Sequence, residues 1–348
     1  MKHASPDARE KINWLSSMPF FGFHALAVAA LLIGVDRASL LLCGVLYFVR
    51  MFFITAGYHR YFSHRSFKTG RTMQFLLALG GTTAVQKGPL WWAAHHRKHH
   101  LYADTDRDIH SPQRGFWWSH VGWILCDKYK TVDYNDIRDL AKYPELRFLD
   151  RQHWLGPAVL LTVCALVDGY RGILFGFFLS TVLLWHATFA VNSVTHLFGR
   201  RRYETSDTSR NSLLVALMTN GEGWHNNHHY YPTSARQGFF WWEIDLSYYL
   251  LYGLSTVGLV HDVRTPPQRI LPGHAPEVAR RTLPSPRALP SPRGGQIATI
   301  GASLRGPTMP APPMDADRPG SRHPVRHQTG GIGARPEDLR TANESSPA

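Results

Sequence analysis

The chain has 348 residues, 44% of them hydrophobic, with a net charge of +13 and three cysteines. Its length sets a prior of one or two domains. Cys43, Cys126 and Cys164 lie far apart, which argues against a disulfide framework or a thiolate metal site, and the basic residues form no patterned face, which argues against nucleic acid as a partner.

In chain order, residues 1–18 form a short N-terminal segment. Residues 19–35 and 38–58 are apolar runs near the length that crosses a bilayer, roughly 17–25 residues, with only Asp36 and Arg37 between them. The first run lacks a short apolar core followed by a small-residue cleavage site, so it reads as a helix and not as a cleaved signal peptide. A second pair of runs, 154–169 and 172–196, meets at Asp168, Gly169, Tyr170 and Arg171. Each pair reads as a helical hairpin with a tight turn. Between and after the pairs lie Trp-rich amphipathic stretches at 89–95, 115–123 and 238–254. Tryptophan and tyrosine favour the bilayer interface, so these are expected to be helices that lie on the membrane and roof a site. From 265 to 348 the chain turns to TPPQ, LPSPRALPSPR and PAPP, with much Gly, Arg and Ser. Such a segment buries too little apolar surface to offset its ordering entropy and is expected to be disordered.

The expected fold is therefore all-α and integral to a membrane. Four transmembrane helices in two hairpins and a helical cap occupy 19–264. Lys and Arg concentrate between the hairpins, while each hairpin turn carries one arginine, Arg37 or Arg171. The positive-inside tendency then places 1–18, 59–153 and 197–348, and so both termini, in the cytoplasm. A bacterial inner membrane is expected in preference to the endoplasmic reticulum.

Eight histidines fall in three clusters, HRYFSH at 59–64, HRKHH at 96–100 and HNNHH at 225–229. Neutral imidazole is the commonest metal-binding side chain. His96, His99 and His100 sit at i, i+3 and i+4, as do His225, His228 and His229, and on a helix these positions share a face. His59 and His64 are five apart, off any single face of a regular helix, and are expected to straddle the end of the second apolar helix. Two crossings separate the second cluster from the third, and an even number returns the chain to the same side, so all three can meet. Eight imidazoles exceed what one metal needs and fit two. His196, at the end of the fourth helix, is a ninth candidate, with Asn192 one turn earlier as the holder of a metal-bound water. Asp104, Asp106, Asp108 and Glu222 stand near the clusters, better placed to accept hydrogen bonds from distal imidazole N–H groups than to be ligands. By ligand type an all-nitrogen set suits iron, copper or zinc. A metal-storage tract would be contiguous and of low complexity. His24 and His186, inside apolar helices, read as satisfied core residues.

The strings GYHRYFSHRSFKT at 57–69, HRKHHLYADTDRDIHSP at 96–112, NSVTH at 192–196 and GEGWHNNHHYYP at 221–232 resemble the membrane fatty-acid desaturases, in their acyl-CoA (stearoyl, delta-9 type) branch. The resemblance covers roughly 15–262. It implies an oxygen-dependent enzyme with two Fe2+ ions that inserts a cis double bond into a saturated acyl chain, with no catalytic side chain beyond the metal centre. It implies as ligands His59, His64, His96, His99, His100, His196, His225, His228 and His229, with Asn192 acting through water. Asp104, Asp108 and Glu222 match the supporting carboxylates, and Trp92 matches a tryptophan lining the acyl tunnel. Where animal acyl-CoA enzymes carry an Asn and an Arg that grip coenzyme A, this chain has Lys87 and Ala94, so acyl-CoA and lipid-bound acyl chains both stand as substrates. The tail has no His-Pro-Gly-Gly haem motif, which implies a separate electron donor of ferredoxin, rubredoxin or b-type cytochrome kind, with its reductase. The readings that compete are a hydroxylase of the same superfamily, a metal transporter and a zinc hydrolase. A transporter would place its ligands inside the spans, and a zinc hydrolase would need fewer histidines.

Overall fold

The computed structural model describes residues 10–271. Residues 1–9 and 272–348, and with them most of the tail, lie outside the described residues.

Helix α1 spans Trp14–Leu32 and starts earlier than the apolar run suggests. Ser16 and Ser17 interrupt that run, but the Asn13 side chain accepts the Ser16 N–H at 3.1 Å and caps the helix there, leaving Pro19 inside it. Helix α2, Arg37–Phe52, is capped by Asp36, which accepts the Ser39 N–H at 2.8 Å. It does not end near residue 58, because the chain continues as a π-helix over Phe53–Ser63. After the two-residue strand β1, Lys68–Thr69, come α3, Arg71–Thr82, and α4, Pro89–Tyr102. The short helices α5, Phe116–His120, α6, Arg138–Ala141, and α7, Pro144–Arg151, lead to α8, Leu155–Arg171. A π-helical stretch, Gly172–Leu179, opens α9, Ser180–Leu197. Then follow α10, Leu213–Met218, α11, His225–Tyr230, α12, Leu246–Thr256, and β2, Val260–His261, which pairs antiparallel with β1.

Among the described residues three segments are long and apolar enough to cross a membrane: Trp14–Leu32, Arg37–Ser63 and the 43 residues of Leu155–Leu197. A straight helix of that last length would measure about 65 Å, twice a hydrocarbon core of about 30 Å. It is broken at Asp168 (φ −148°, ψ 32°) and Gly169 (φ 52°, ψ −135°). Past the break the chain folds back on α8. Gly172 lies so near the Cys164 carbonyl that no β-carbon would fit. The two reverse turns meet at one end of the bundle, where Asp36 pairs with Arg171 and Arg171 also donates to the Gly34 carbonyl at 2.9 Å.

The outer faces stay apolar and exposed, with Leu15, Leu32 and Leu166 each at 80% or more, as a lipid-facing surface requires. Between the helices, buried Arg50 ties α2 to α9 by donating to Thr181 Oγ1 at 2.7 Å and Ser180 Oγ at 2.5 Å. At the end opposite the turns, α3, α4 and α7 pack on the π-helical end of α2 around Tyr58, Phe62, Leu77, Leu90 and Leu146. The Trp-rich stretches behave unequally. Trp91 is an interior residue, stacked on Trp123 at 5.8 Å. Trp117, Trp241 and Trp242 are exposed. Residues 238–245 are not helical, because Asp245 caps α12 only at Leu246.

Candidate metal centre

The π-helical end of α2 explains the five-residue spacing of the first cluster. In a π-helix the N–H of residue i+5 bonds to the carbonyl of residue i. The His64 N–H donates to the His59 carbonyl at 3.2 Å, and the two rings lie 4.8 Å apart. The pair therefore shares one wider turn at the helix end, with His59 inside the π-helix and His64 its C-cap, so it straddles that end as the spacing suggests. Helix α4 is seated at its start, where Asp150 Oδ1 accepts the N–H groups of Leu90 and Trp91 at 2.9 and 2.8 Å. In α11 the two asparagines of HNNHH face away from the histidines. Asn226 accepts the Arg202 and Tyr203 N–H groups at 2.8 and 2.7 Å, and Asn211 Nδ2 donates to Asn227 at 2.7 Å, which clamps the 200–211 segment over the helix.

Nine histidines form two adjacent groups, His59, His64, His96, His100 and His228 in one and His99, His196, His225 and His229 in the other. Each three-histidine helix is divided between them. Helix α4 sends His96 and His100 to the first group and His99 to the second, whereas α11 sends His228 to the first and His225 and His229 to the second. One helical face was expected to serve one space; the rings instead splay to either side of it.

Inside the first group Nε2 faces Nε2 at 3.1 Å for His59 and His228, 2.8 Å for His64 and His96, and 2.9 Å for His228 and His100. In the second, His225 Nε2 stands 3.1 Å from that of His196 and 3.0 Å from that of His229. Carboxylates occupy the far side of four rings. Glu222 holds His59 Nδ1, Asp108 holds His99 at 3.0 Å, Asp104 holds His196 at 3.1 Å and Asp207 holds His229 at 2.7 Å. An Nδ1–H given to a carboxylate leaves a bare lone pair on Nε2. His225 Nε2 faces two rings so held, His196 and His229, and could donate a proton to only one of them, whereas a cation among the rings satisfies both. Two nitrogens about 2.1 Å from one ion at a right angle stand about 3.0 Å apart, against about 3.4 Å at the tetrahedral angle. The donor set thus fits two metal ions of five- or six-fold coordination.

The electrostatics agree. Burial, reinforced by neighbouring imidazoles, holds His64, His96, His100, His225 and His228 well below the ordinary imidazole range. Burial also takes His229 down to about 4, against the pull of Asp207. These rings are neutral at pH 7, the form that binds metal. His99 goes the other way: burial opposes its charge, but Asp108, Asp104 and Asp207 outweigh it.

Among the described residues Asn192 has no side-chain hydrogen-bond partner, and it lines a cavity of about 40 Å³ with His59 and His96 of one group and His225 of the other. A cavity of about 410 Å³ starts at His96, Trp92 and Asn192, runs past Phe20, Phe23, Trp185 and Phe189, and reaches Lys87, Lys130 and His153. Trp92 stacks on His96 at 5.0 Å and donates to Gln86 Oε1 at 3.3 Å, and Gln86 donates to Thr188 Oγ1 at 3.1 Å. Asp106 is exposed. His24 and His186 bond to each other at 2.9 Å, away from both groups.

Three contributors escaped the sequence reading. Asp207 sits in a turn with Thr205 and Ser209 and has no metal-like spacing. Buried Arg60 pairs with Glu222 at 3.0 Å and Asp245 at 2.8 Å, and so places the carboxylate that holds His59. Gln237 lies 3.3 Å from His59 Nδ1 and 3.4 Å from His228 Nδ1. Of the three only Arg60 carries a sequence signal, a cation within the first histidine cluster at the end of an apolar run, which needs a buried acid.

A sequence model described as fatty acid desaturase matches residues 37–251. The sn-2 palmitoyl-lipid 9-desaturase of Nostoc sp. is 40% identical over 268 residues, 74% of this chain and 93% of its own. The sn-1 stearoyl-lipid 9-desaturase of Anabaena variabilis is 37% identical over 74% of this chain and 95% of its own. The icosanoyl-CoA 5-desaturase of Limnanthes douglasii is 39% identical over 61% of each chain.

Proposed function

Given that the chain belongs to the fatty acid desaturase family, we propose that it inserts a cis double bond at the delta-9 position of a saturated acyl chain, using oxygen and two irons. The observation that carries this reading is the pair of inward-facing imidazole groups beside a largely apolar cavity that His96, Trp92 and Asn192 line. His59, His64, His96, His100 and His228 would hold one iron and His99, His196, His225 and His229 the other, with Asn192 reaching them through water. A methylene C–H bond has no acidic proton and no lone pair, so acid–base side chains have no purchase on it, and activation of oxygen to remove its hydrogen is the chemistry the metals supply when bound. The overall change balances as R–CH2–CH2–R′ + O2 + 2 e⁻ + 2 H⁺ → R–CH=CH–R′ + 2 H2O.

The chain's own residues orient and exclude. Asp104, Asp108, Asp207 and Glu222 hold the Nδ1–H groups and so aim the lone pairs. The aromatic walls take the acyl chain out of water, worth about 0.8 kcal/mol per CH₂. That increment ranks chain lengths weakly, so a bend must choose the methylene. The Trp92–Gln86–Thr188 hydrogen-bonded set beside His96 is the bend we assign. A lipid-bound acyl chain is the favoured substrate. Ala94 offers no head-group donor, and the relatives matched over nearly their whole length are named lipid 9-desaturases. Four crossings in two hairpins with the metal groups on the cytoplasmic side of a bacterial inner membrane fit the paired turns at the opposite end.

The test is expression in a desaturase-deficient host, with mass spectrometry of double-bond-derivatised fatty acids, and in vitro assays on acyl-CoA and on phospholipid vesicles. A new delta-9 monoene formed on the vesicles is expected. Absence of any monoene overturns the reading, and a hydroxylated product replaces it with the hydroxylase.

A further inference from the structure

The reaction proposed above consumes two electrons that neither substrate supplies, and they must reach buried metals from outside. His64, His96 and His100 are partly buried, and so is His229 although its side chain is only 1% exposed, whereas the other five are buried. His64, His100 and His229 line neither of the two cavities, so what is exposed of His64 and His100 faces elsewhere, with His229 beneath. His100 and His229 stack at 4.5 Å with 30° between their planes, and His64 lies 4.5 Å from His100. His100 is near the end of α4 and His229 near the end of α11, so the two helix ends meet there.

The residues just beyond these histidines are apolar and exposed. Leu101 is 71% exposed and Tyr230 41%. Tyr230 stacks on Tyr203 at 4.2 Å, which brings the 200–203 segment to the same edge. Lys98, Arg107, Arg200 and Arg201 are exposed around it, and none has an ion-pair partner among the described residues. The exposed acids on the same segments are Asp106 and Glu204. The edge is therefore a small apolar centre with a cationic rim, next in the chain to His100 and to His229, whose rings stack on each other.

We propose that this face docks an acidic one-electron carrier protein, which delivers two electrons in turn through the His100–His229 edge. The inference rests on the desaturase reading. Charge complementarity selects the occupant: rim cations steer an acidic partner and raise its association rate, with strong salt dependence. The apolar centre, Leu101 with Tyr230, is the part that excludes water at contact. Each visit oxidises the reduced carrier by one electron, and two visits meet the demand of one turnover.

The test compares two electron sources on the full-length, iron-loaded protein in lipid nanodiscs. One is a reduced plant-type [2Fe–2S] ferredoxin, with reduced cytochrome b5 as a second arm, and the other is dithionite, which needs no docking face. Lys98→Glu, Arg201→Glu and Leu101→Asp should lower carrier-driven turnover about tenfold or more, raise the KM for carrier and weaken binding of oxidised carrier. Iron content and dithionite-driven turnover should stay at wild-type values. The wild-type carrier-driven rate should fall steeply with salt, and the charge-reversed variants should lose that slope. Lys98→Arg should restore wild-type behaviour. Unchanged carrier kinetics and binding in all three variants overturn the proposal, as does an equal loss with dithionite and carrier in every variant. Wild-type protein that forms no monoene with either donor overturns the desaturase reading instead.

Discussion

Replacing Asp207 by asparagine isolates a single hydrogen bond behind one ligand. Asp207 is 7% exposed, and its Oδ2 takes the His229 Nδ1–H at 2.7 Å. Its Oδ1 accepts the Ser209 N–H and the Thr205 hydroxyl, each at 2.9 Å. Asparagine keeps an oxygen for those local bonds, so the turn stands, but the anion behind His229 is gone. The ring becomes a poorer donor at Nε2 and is free to take the other tautomer. Loss of such a partner weakens metal binding by about 10–100-fold, or about 1.4–2.7 kcal/mol. If the protein holds two irons as proposed, competition with a graded chelator should show one of them leaving at correspondingly lower chelator concentration, with the thermal midpoint of the metal-free protein little changed. Asp106→Asn, at an exposed acid of the loop after α4, should behave as wild type. Wild-type iron retention in Asp207→Asn would refute the reasoning, because the carboxylate would then contribute nothing to the ring's affinity.

Three further outcomes follow from the same geometry. In metal-free protein, burial holds five ring histidines well below the usual range and His229 at about 4. The unfolded chain titrates near pH 6.5 and below that binds more protons than the folded one, so unfolding midpoints should drop as pH falls from about 6.5 toward 4. His99, raised despite burial, offsets only part of this, and a flat midpoint from pH 7.5 to 5 would contradict it. Arg60→Met leaves Glu222 and Asp245 buried without their cation and should cost about 3–5 kcal/mol in denaturant unfolding, whereas a loss below about 1 kcal/mol would show the triad to be dispensable. Trp92→Ala removes the ring stacked on His96 and should spread the product over neighbouring double-bond positions. A product profile identical to wild type would place the bend elsewhere.

Much of this architecture was legible because membrane helices and histidine spacing obey short-range rules. Asp36–Arg37 and Asp168–Arg171 interrupt apolar runs where the chain must turn, and both turns are where the sequence put them. Helix limits were less legible. Asn13 caps α1 through a side chain whose hydropathy says nothing of its role, and a π-helix over Phe53–Ser63 has no pattern distinct from an α-helix until the hydrogen bonds are seen. At the metal centre the three clusters, Asp104, Asp108 and Glu222 stood out by their proximity in sequence to one another. Asp207, Gln237 and the Arg60–Asp245 pair did not, because each acts across loops that only the folded chain brings together.

The division of α4 and α11 between the two imidazole groups has a consequence for assembly. Neither helix can be ordered for one ion without ordering part of the other ion's shell. The first ion to bind therefore raises the effective concentration of ligands for the second, and half-loaded protein should be scarce at equilibrium. Metal uptake should then behave as a single cooperative switch between empty and fully charged chains, which in the proposed enzyme would leave no lone redox-active iron beside an acyl chain.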